Sequence, residues 1–98
     1  MVITHKQQQV LEANVLRRLL RHLDDNKDIQ NIDLMIHAGF CRNCLSKWYL
    51  DAAEENGMCL SLEETQQAIY GMPYKEWKDK YQTPASKDQL NSLARKNR

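Results

Sequence analysis

Apolar residues recur at intervals of three and four along most of this chain, a spacing typical of amphipathic α-helices. The longest such run lies in the first quarter and comprises Val10, Leu11, Val15, Leu16, Leu19, Leu20 and Leu23. No segment shows the alternation of apolar and polar residues that a half-buried strand requires. The sequence therefore predicts an all-α fold.

Capping signals indicate where several of these helices begin. A hydroxyl residue followed three positions later by Gln or Glu forms a capping box. This pattern occurs at Thr4, Ser61 and Ser86. We therefore predict a helix over about residues 5–24, a short one from Ser61 through Tyr70, and a last short one after Ser86.

An aromatic stripe marks a further helix near the C-terminus. Tyr74, Trp77 and Tyr81 stand at positions i, i+3 and i+7, just after a proline that suits the first helical position, Pro73. Such a stripe is core more often than partner surface, and we expect it to be core. Residues 95–98, Arg-Lys-Asn-Arg, are expected to form a frayed basic tail.

The middle of the chain can form one long helix or two. A helix is predicted to begin at Asp28 or Asn31, both good N-caps. Gly39 either ends it or lies inside a helix that continues to Asn56 at a cost of about 1 kcal/mol. A continuous helix would carry one apolar stripe made of Leu34, Ala38, Cys41, Leu45, Trp48, Tyr49 and Ala52. In total we predict about five helices, in one domain spanning residues 1–98.

The charges are unevenly distributed although the formal net charge is only +1. The first helix ends in Arg17, Arg18 and Arg21, whereas nine acidic residues lie within residues 24–64. We expect the basic ends to fold against the acidic middle, within one chain or between two. Weak nucleic-acid binding through these arginines and the basic tail is an alternative, although no aromatic residue is interleaved among them.

The cysteine content indicates the compartment. Three cysteines form an odd set, no secretory leader precedes them, and no run approaches the roughly 20 apolar residues of a membrane span. We therefore expect a cytoplasmic protein with reduced thiols and no membrane partner.

The densest group of reactive side chains lies in the segment His37 to Tyr49, which contains Cys41-x-x-Cys44. On an uninterrupted helix His37, Cys41 and Cys44 would share one face and could offer an imidazole and two thiolates to zinc. A fourth ligand and a second ligand pair are both missing from the sequence nearby. Zinc binding by these three residues is therefore an alternative, and no metal site is predicted.

If Gly39 ends the preceding helix, a redox role becomes possible. Cys41 would then lie in the first turn of a new helix, where the helix dipole and Arg42 would lower its pKa, with Cys44 as resolving thiol. The third interpretation involves no chemistry, since a free cysteine is a small apolar residue that is often buried. On that interpretation Cys41 packs beneath Leu45 and Trp48, and Asn43, on the opposite side, is solvated or a cap.

Three blocks of this sequence resemble domain-of-unknown-function family 1244, a family of short bacterial proteins. The blocks are Asp28 to Met35, Ala38 to Tyr49 and Tyr70 to Lys78. The resemblance centres on the Gly-Phe-Cys-Arg-Asn-Cys run and does not extend to His37. It implies a multihelical fold and a homodimer, with no assigned activity.

The sequence shows no carboxylate pair, nucleophile elbow or phosphate-binding glycine loop, so we predict no catalytic residues. We expect a structural or protein-interaction module that acts as a homodimer. The alternatives are a metal-binding or thiol-redox protein using Cys41 and Cys44, and a weak nucleic-acid binder.

Overall fold

The computed structural model describes residues 2–97, which form six α-helices joined by short loops. The helices are α1 (His5–Asp25), α2 (Asn31–Ala38), α3 (Arg42–Glu55), α4 (Leu62–Tyr70), α5 (Tyr74–Tyr81) and α6 (Lys87–Lys96). No strand occurs among the described residues, and the predicted all-α fold is confirmed. In the same range no helix is long and apolar enough to cross a bilayer.

The capping boxes that the sequence predicts are all formed. At Thr4, Ser61 and Ser86 the hydroxyl oxygen accepts the backbone N–H three residues later, at 3.1 Å in each case. The Gln or Glu at that third position accepts the backbone N–H of the hydroxyl residue in return. Pro73 lies one position earlier than predicted, since it is the N-cap of α5 and not its first residue.

Gly39 separates the two central helices. Its backbone lies in the left-handed region at φ 75° and ψ 10°, and its N–H donates to the carbonyl of Met35 at 3.2 Å. A helix cannot continue through this conformation, which non-glycine residues rarely adopt. Residues 2–97 consequently form six helices where about five were predicted, and Cys41 becomes the N-cap of α3.

Because α2 and α3 are separate, the apolar stripe of a continuous helix does not form. On α3 the side chains of Trp48 and Tyr49 are exposed by 56% and 40%. The buried face of α3 instead includes Arg42 and Ser46 beside Leu45. Arg42 and Ser46 are therefore buried on α3, whereas the aromatic residues of the predicted stripe are exposed.

The hydrophobic core lies where the end of α1 meets α3, α4 and α5. Its buried residues are Leu23, Leu45, Ile69, Tyr70 and Trp77. Trp77 is the most deeply buried of them, at 1% exposure, while Tyr74 and Tyr81 pack against the cluster. The prediction that the aromatic stripe of α5 is core is confirmed.

The helix α6 packs against α2 and extends farther than expected. The Gln89 side chain donates to the Asp33 carboxylate at 2.9 Å, and the Lys96 ammonium donates to the carbonyl of Ile36 at 2.9 Å. Arg95 and Lys96 form the last turn of α6, so this half of the predicted frayed tail is helical. Arg98, at its other end, lies outside the described residues.

The first half of α1 extends away from this core. Every residue from Val2 to Val15 is exposed, and the first intermediate position is Leu16. The molecule is correspondingly elongated, with extents of 48 × 31 × 27 Å and a radius of gyration of 15.6 Å. A compact chain of this length would have a radius of about 13 Å.

Candidate functional site at the start of helix α3

The side chain of Arg42 joins three segments of the fold. It is 3% exposed and donates to backbone carbonyls at the end of α1 and in the loop that follows. The distances are 3.2 Å to Leu23, 3.1 Å to Asn26 and 2.7 Å to Ile29. These carbonyls lie at or beyond the last turn of α1, where intrahelical donors run out. Arg42 therefore caps α1 from α3.

An amide and a tyrosine continue this polar network towards the surface. The Asn31 carbonyl oxygen accepts from the Arg42 guanidinium at 3.2 Å, and its amide nitrogen donates to the Tyr70 hydroxyl at 3.0 Å. The Tyr70 hydroxyl in turn donates to the Asn43 side-chain oxygen at 2.6 Å. Each buried group thus has a partner, as burial of polar atoms requires.

Burial and charge shift the pKa values within the network in ways that fit these contacts. Burial is the main cause that raises the pKa of Tyr70 far above its ordinary value and lowers that of Arg42. Arg42 keeps its charge there because carbonyl and amide oxygens replace the water it has lost. The Arg42 junction, defined as Asn31, Arg42, Asn43 and Tyr70, is therefore a satisfied structural network.

The two thiols of the Cys-x-x-Cys sequence lie side by side next to this junction. Their sulfur atoms are 3.7 Å apart, and Cys44 Sγ is also 3.9 Å from the sulfur of Met35. Cys41 is buried at 8% exposure, whereas Cys44 is half-buried. Burial raises the pKa of Cys41 despite the backbone N–H groups of Cys44 and Asn43 beside its sulfur.

The structure corrects two predictions for this segment. Arg42 was expected to lower the pKa of Cys41, but burial outweighs every other cause and the pKa rises. The guanidinium group instead reaches the carbonyls of Leu23 and Ile29. Asn43 was expected to be solvated or a cap, and it instead accepts the hydroxyl of Tyr70.

His37, the third residue of the candidate zinc set, does not form a metal-binding group with the two cysteines. His37 is exposed in the last turn of α2. Within residues 2–97 no group of three His, Cys, Asp or Glu side chains could hold one metal ion. Cys41 and Cys44 by themselves supply two ligands, fewer than the four of a structural zinc site.

The three arginines near the end of α1 form no ion pair within residues 2–97. In the described range the ion pairs are Lys27 with Asp24 and Lys80 with Glu76. Arg17, Arg18 and Arg21 are exposed and belong to neither pair. The arrangement of the basic ends against the acidic middle, within one chain or between two, stays a prediction.

These features define a small all-helical domain whose helices meet at one buried arginine. The chain belongs to family DUF1244, described as a protein of unknown function, whose model matches residues 29–95. This confirms the resemblance that the three sequence blocks carry. The matched region contains the whole Arg42 junction and both thiols of the pair, and it begins after α1. A comparison with curated proteins finds no match.

Proposed function

We propose that this chain is a protein-interaction module that acts as a homodimer through the first half of α1. The observation that carries the proposal is the exposure of three apolar side chains on that segment and of Ile3 just before it. Ile3, Val10, Leu11 and Val15 are exposed by 41%, 53%, 52% and 70%. An exposed group of apolar side chains on a helix that stands clear of its domain is typical of an interaction surface.

The length of this free segment supports a partner for it. An isolated helix shorter than about 12 residues is marginal in water, because few hydrogen bonds offset the cost of nucleation. Residues 5–15 are the exposed half of the 21-residue helix α1, so they continue an existing helix, but none of their apolar side chains is buried. Packing against another surface supplies the stabilisation that the rest of the domain does not give it.

The chemistry of the surface favours a second copy as that partner. At about 100° per residue, Gln7, Val10, Leu11 and Asn14 fall on one side of α1, and Val15 lies at the edge of that side beside Leu11. No side chain in this set is ionisable, and Lys6, which lines the same groove, lies at its edge, so the centres of two identical faces can meet without opposing like charges. A twofold axis brings the same patch of both copies together, as most soluble homodimers do.

The arginines favour an antiparallel arrangement of the two helices. A parallel pair would place Arg17, Arg18 and Arg21 against their own copies, and like charges at such short range destabilise an interface. In an antiparallel pair centred between Val10 and Leu11, the two arginine clusters lie at opposite ends.

Sedimentation equilibrium tests the proposal with a matched pair of variants. Leu11→Glu places a charge in the proposed interface, whereas Leu90→Glu makes the same change at an equally exposed leucine of α6, 53% against 52%. We expect dimers for the wild type and Leu90→Glu and monomers for Leu11→Glu. A monomeric wild type, or dissociation of both variants alike, would contradict the proposal.

The proposal assigns the module to the cytoplasm and gives it no catalytic role. All three cysteines, Cys41, Cys44 and Cys59, carry free thiols, the state that a reducing compartment maintains. In the proposed dimer the arginines of α1 flank a protein interface, which accounts for their clustering without nucleic acid.

A further inference from the structure

We propose that Cys41 and Cys44 form a dithiol site that reacts with low-molecular-weight disulfides and closes to an intramolecular disulfide. The proposal rests on the juxtaposition of the two sulfur atoms, 3.7 Å apart at the start of α3. A disulfide bond is about 2.05 Å long, so the atoms must approach by only about 1.6 Å. Side-chain rotation within one helical turn can supply that movement.

The choice of residue at the start of α3 supports a chemical role. Three helices are capped by Thr4, Ser61 or Ser86, each with a full capping box, whereas α2, α3 and α5 begin without a side-chain cap bond. The N-cap Cys41 forms no capping box, although the backbone N–H groups of Asn43 and Cys44 lie beside its sulfur. Cysteine is a weak hydrogen-bond acceptor, so capping does not explain its presence. A serine would cap α3 more strongly but could not form a bond with the neighbouring sulfur of Cys44.

The different burial of the two thiols assigns their order of reaction. Cys44 is half-buried and can meet a small molecule from solvent, whereas Cys41 is 8% exposed. Burial also raises the pKa of Cys41, which lowers its thiolate fraction near neutral pH. Cys44 is therefore the entry thiol and Cys41 the resolving thiol, the reverse of the order that the sequence suggested.

The reaction balances without any metal or cofactor. The Cys44 thiolate attacks one sulfur of the small disulfide, whose S–S bond breaks and releases one thiolate. A mixed disulfide remains on Cys44. Cys41 then loses its proton to solvent and attacks Cys44 Sγ, which releases the second small thiolate. Two electrons pass from the protein to the reagent, and both released thiolates take up protons from solvent.

Glutathione disulfide is a suitable probe, and the Cys59→Ser variant is a suitable parent because Cys59 is exposed and would react independently. In the folded parent we expect loss of both thiols, a protein mass lower by two hydrogen atoms, no retained glutathione, and full reversal by dithiothreitol. Two free thiols under conditions that modify Cys59 in the wild type would overturn the proposal. A disulfide joining two chains would overturn it as well.

Two further variants test the order of reaction. With Cys41→Ser in the parent, the glutathione adduct should persist on Cys44, because no resolving thiol remains. With Cys44→Ser, adduct formation on buried Cys41 should be at least about tenfold slower. Equal rates would overturn the assignment of the entry thiol. The parent measurement does not depend on either variant folding, and Leu11→Glu should oxidise at the wild-type rate, which separates this result from the dimer.

Discussion

The guanidinium carbon of Arg42 lies 5.0 Å from the centroid of the Trp77 ring, and this contact joins the start of α3 to α5. Both side chains are nearly inaccessible, with exposures of 3% and 1%. A cation held over an aromatic face away from water contributes about 2 kcal/mol. The planar guanidinium group can stack on the indole and still direct its N–H groups to carbonyls around its edge.

Replacing Arg42 by lysine should therefore destabilise the protein although the charge is kept. A lysine ammonium cannot reach the carbonyls of Leu23, Asn26 and Ile29 together, and it would leave buried acceptors without partners. We expect the free energy of unfolding to fall by about 3 kcal/mol. Urea denaturation followed by circular dichroism measures this change.

Arg18 provides the matched control for that substitution. It is exposed and belongs to neither ion pair of the described residues. Arg18→Lys should change the free energy of unfolding by less than about 0.5 kcal/mol. Similar losses for the two variants would show that Arg42 has no special structural role.

The shifted pKa of Tyr70 predicts a loss of stability in alkali. Burial raises the pKa of its phenol in the folded state above the ordinary value of 10.0. Above about pH 10 the unfolded chain therefore releases the Tyr70 proton while the folded chain retains it, so the free energy of unfolding falls as pH rises. Below pH 10 both states hold the proton and this contribution is constant.

Tyr70→Phe isolates this effect, because it removes the ionisable group and keeps the ring. At pH 8 the variant should be less stable by about 1 to 2 kcal/mol, since the amides of Asn31 and Asn43 lose their shared partner. Between pH 10 and pH 11 its stability should decline less steeply than that of the wild type. Parallel pH profiles would contradict the assignment.

The helices were predictable from sequence because local signals specify them. Thr4, Ser61 and Ser86 each have their capping partner three residues further on. Tyr74, Trp77 and Tyr81 follow one another at helical spacing. These patterns involve residues within two turns of one another. The burial of Cys41, expected of a small apolar side chain, follows from the same kind of reasoning.

The Arg42 junction was not predictable, because its partners are distant in sequence and chemically unspecific. Every residue has a backbone carbonyl, so the sequence does not indicate that those of Leu23 and Asn26 accept hydrogen bonds from Arg42. Arg42 and Asn43 are polar residues between two cysteines, and residues of these types are most often solvated. The sequence offered one signal for the burial of Arg42, which is that it precedes the core residue Leu45 by one helical turn.

The left-handed conformation of Gly39 gives a further test of the boundary between α2 and α3. An added Cβ would meet the nearest side-chain atom, Lys96 Nζ, at 3.7 Å, which is ordinary contact. Gly39→Ala should therefore suffer backbone strain alone and lose about 1 to 2 kcal/mol. Thermal or urea denaturation provides the measurement.

Gly57 is the appropriate comparison, since its φ of 71° is nearly the same and an added Cβ would meet nothing within 4 Å. The two alanine variants should lose stability to within about 0.5 kcal/mol of each other. A much larger loss at Gly39 would show that the turn into α3 tolerates no side chain. Such a loss would contradict the ordinary contact distance of 3.7 Å between a Cβ at position 39 and Lys96 Nζ.

Hydrogen exchange along α1 distinguishes a helix held by a partner from one that is stable alone. Residues 5–15 are all exposed, so in a monomer their amides should exchange much faster than those of the buried helices. In the wild-type dimer the same amides should be protected. In Leu11→Glu they should lose that protection, whereas amides of α3 around Leu45 stay unchanged because the core is intact. Equal protection of residues 5–15 in both proteins would mean that α1 is stable without a second copy, and the reason for pairing the two helices would disappear.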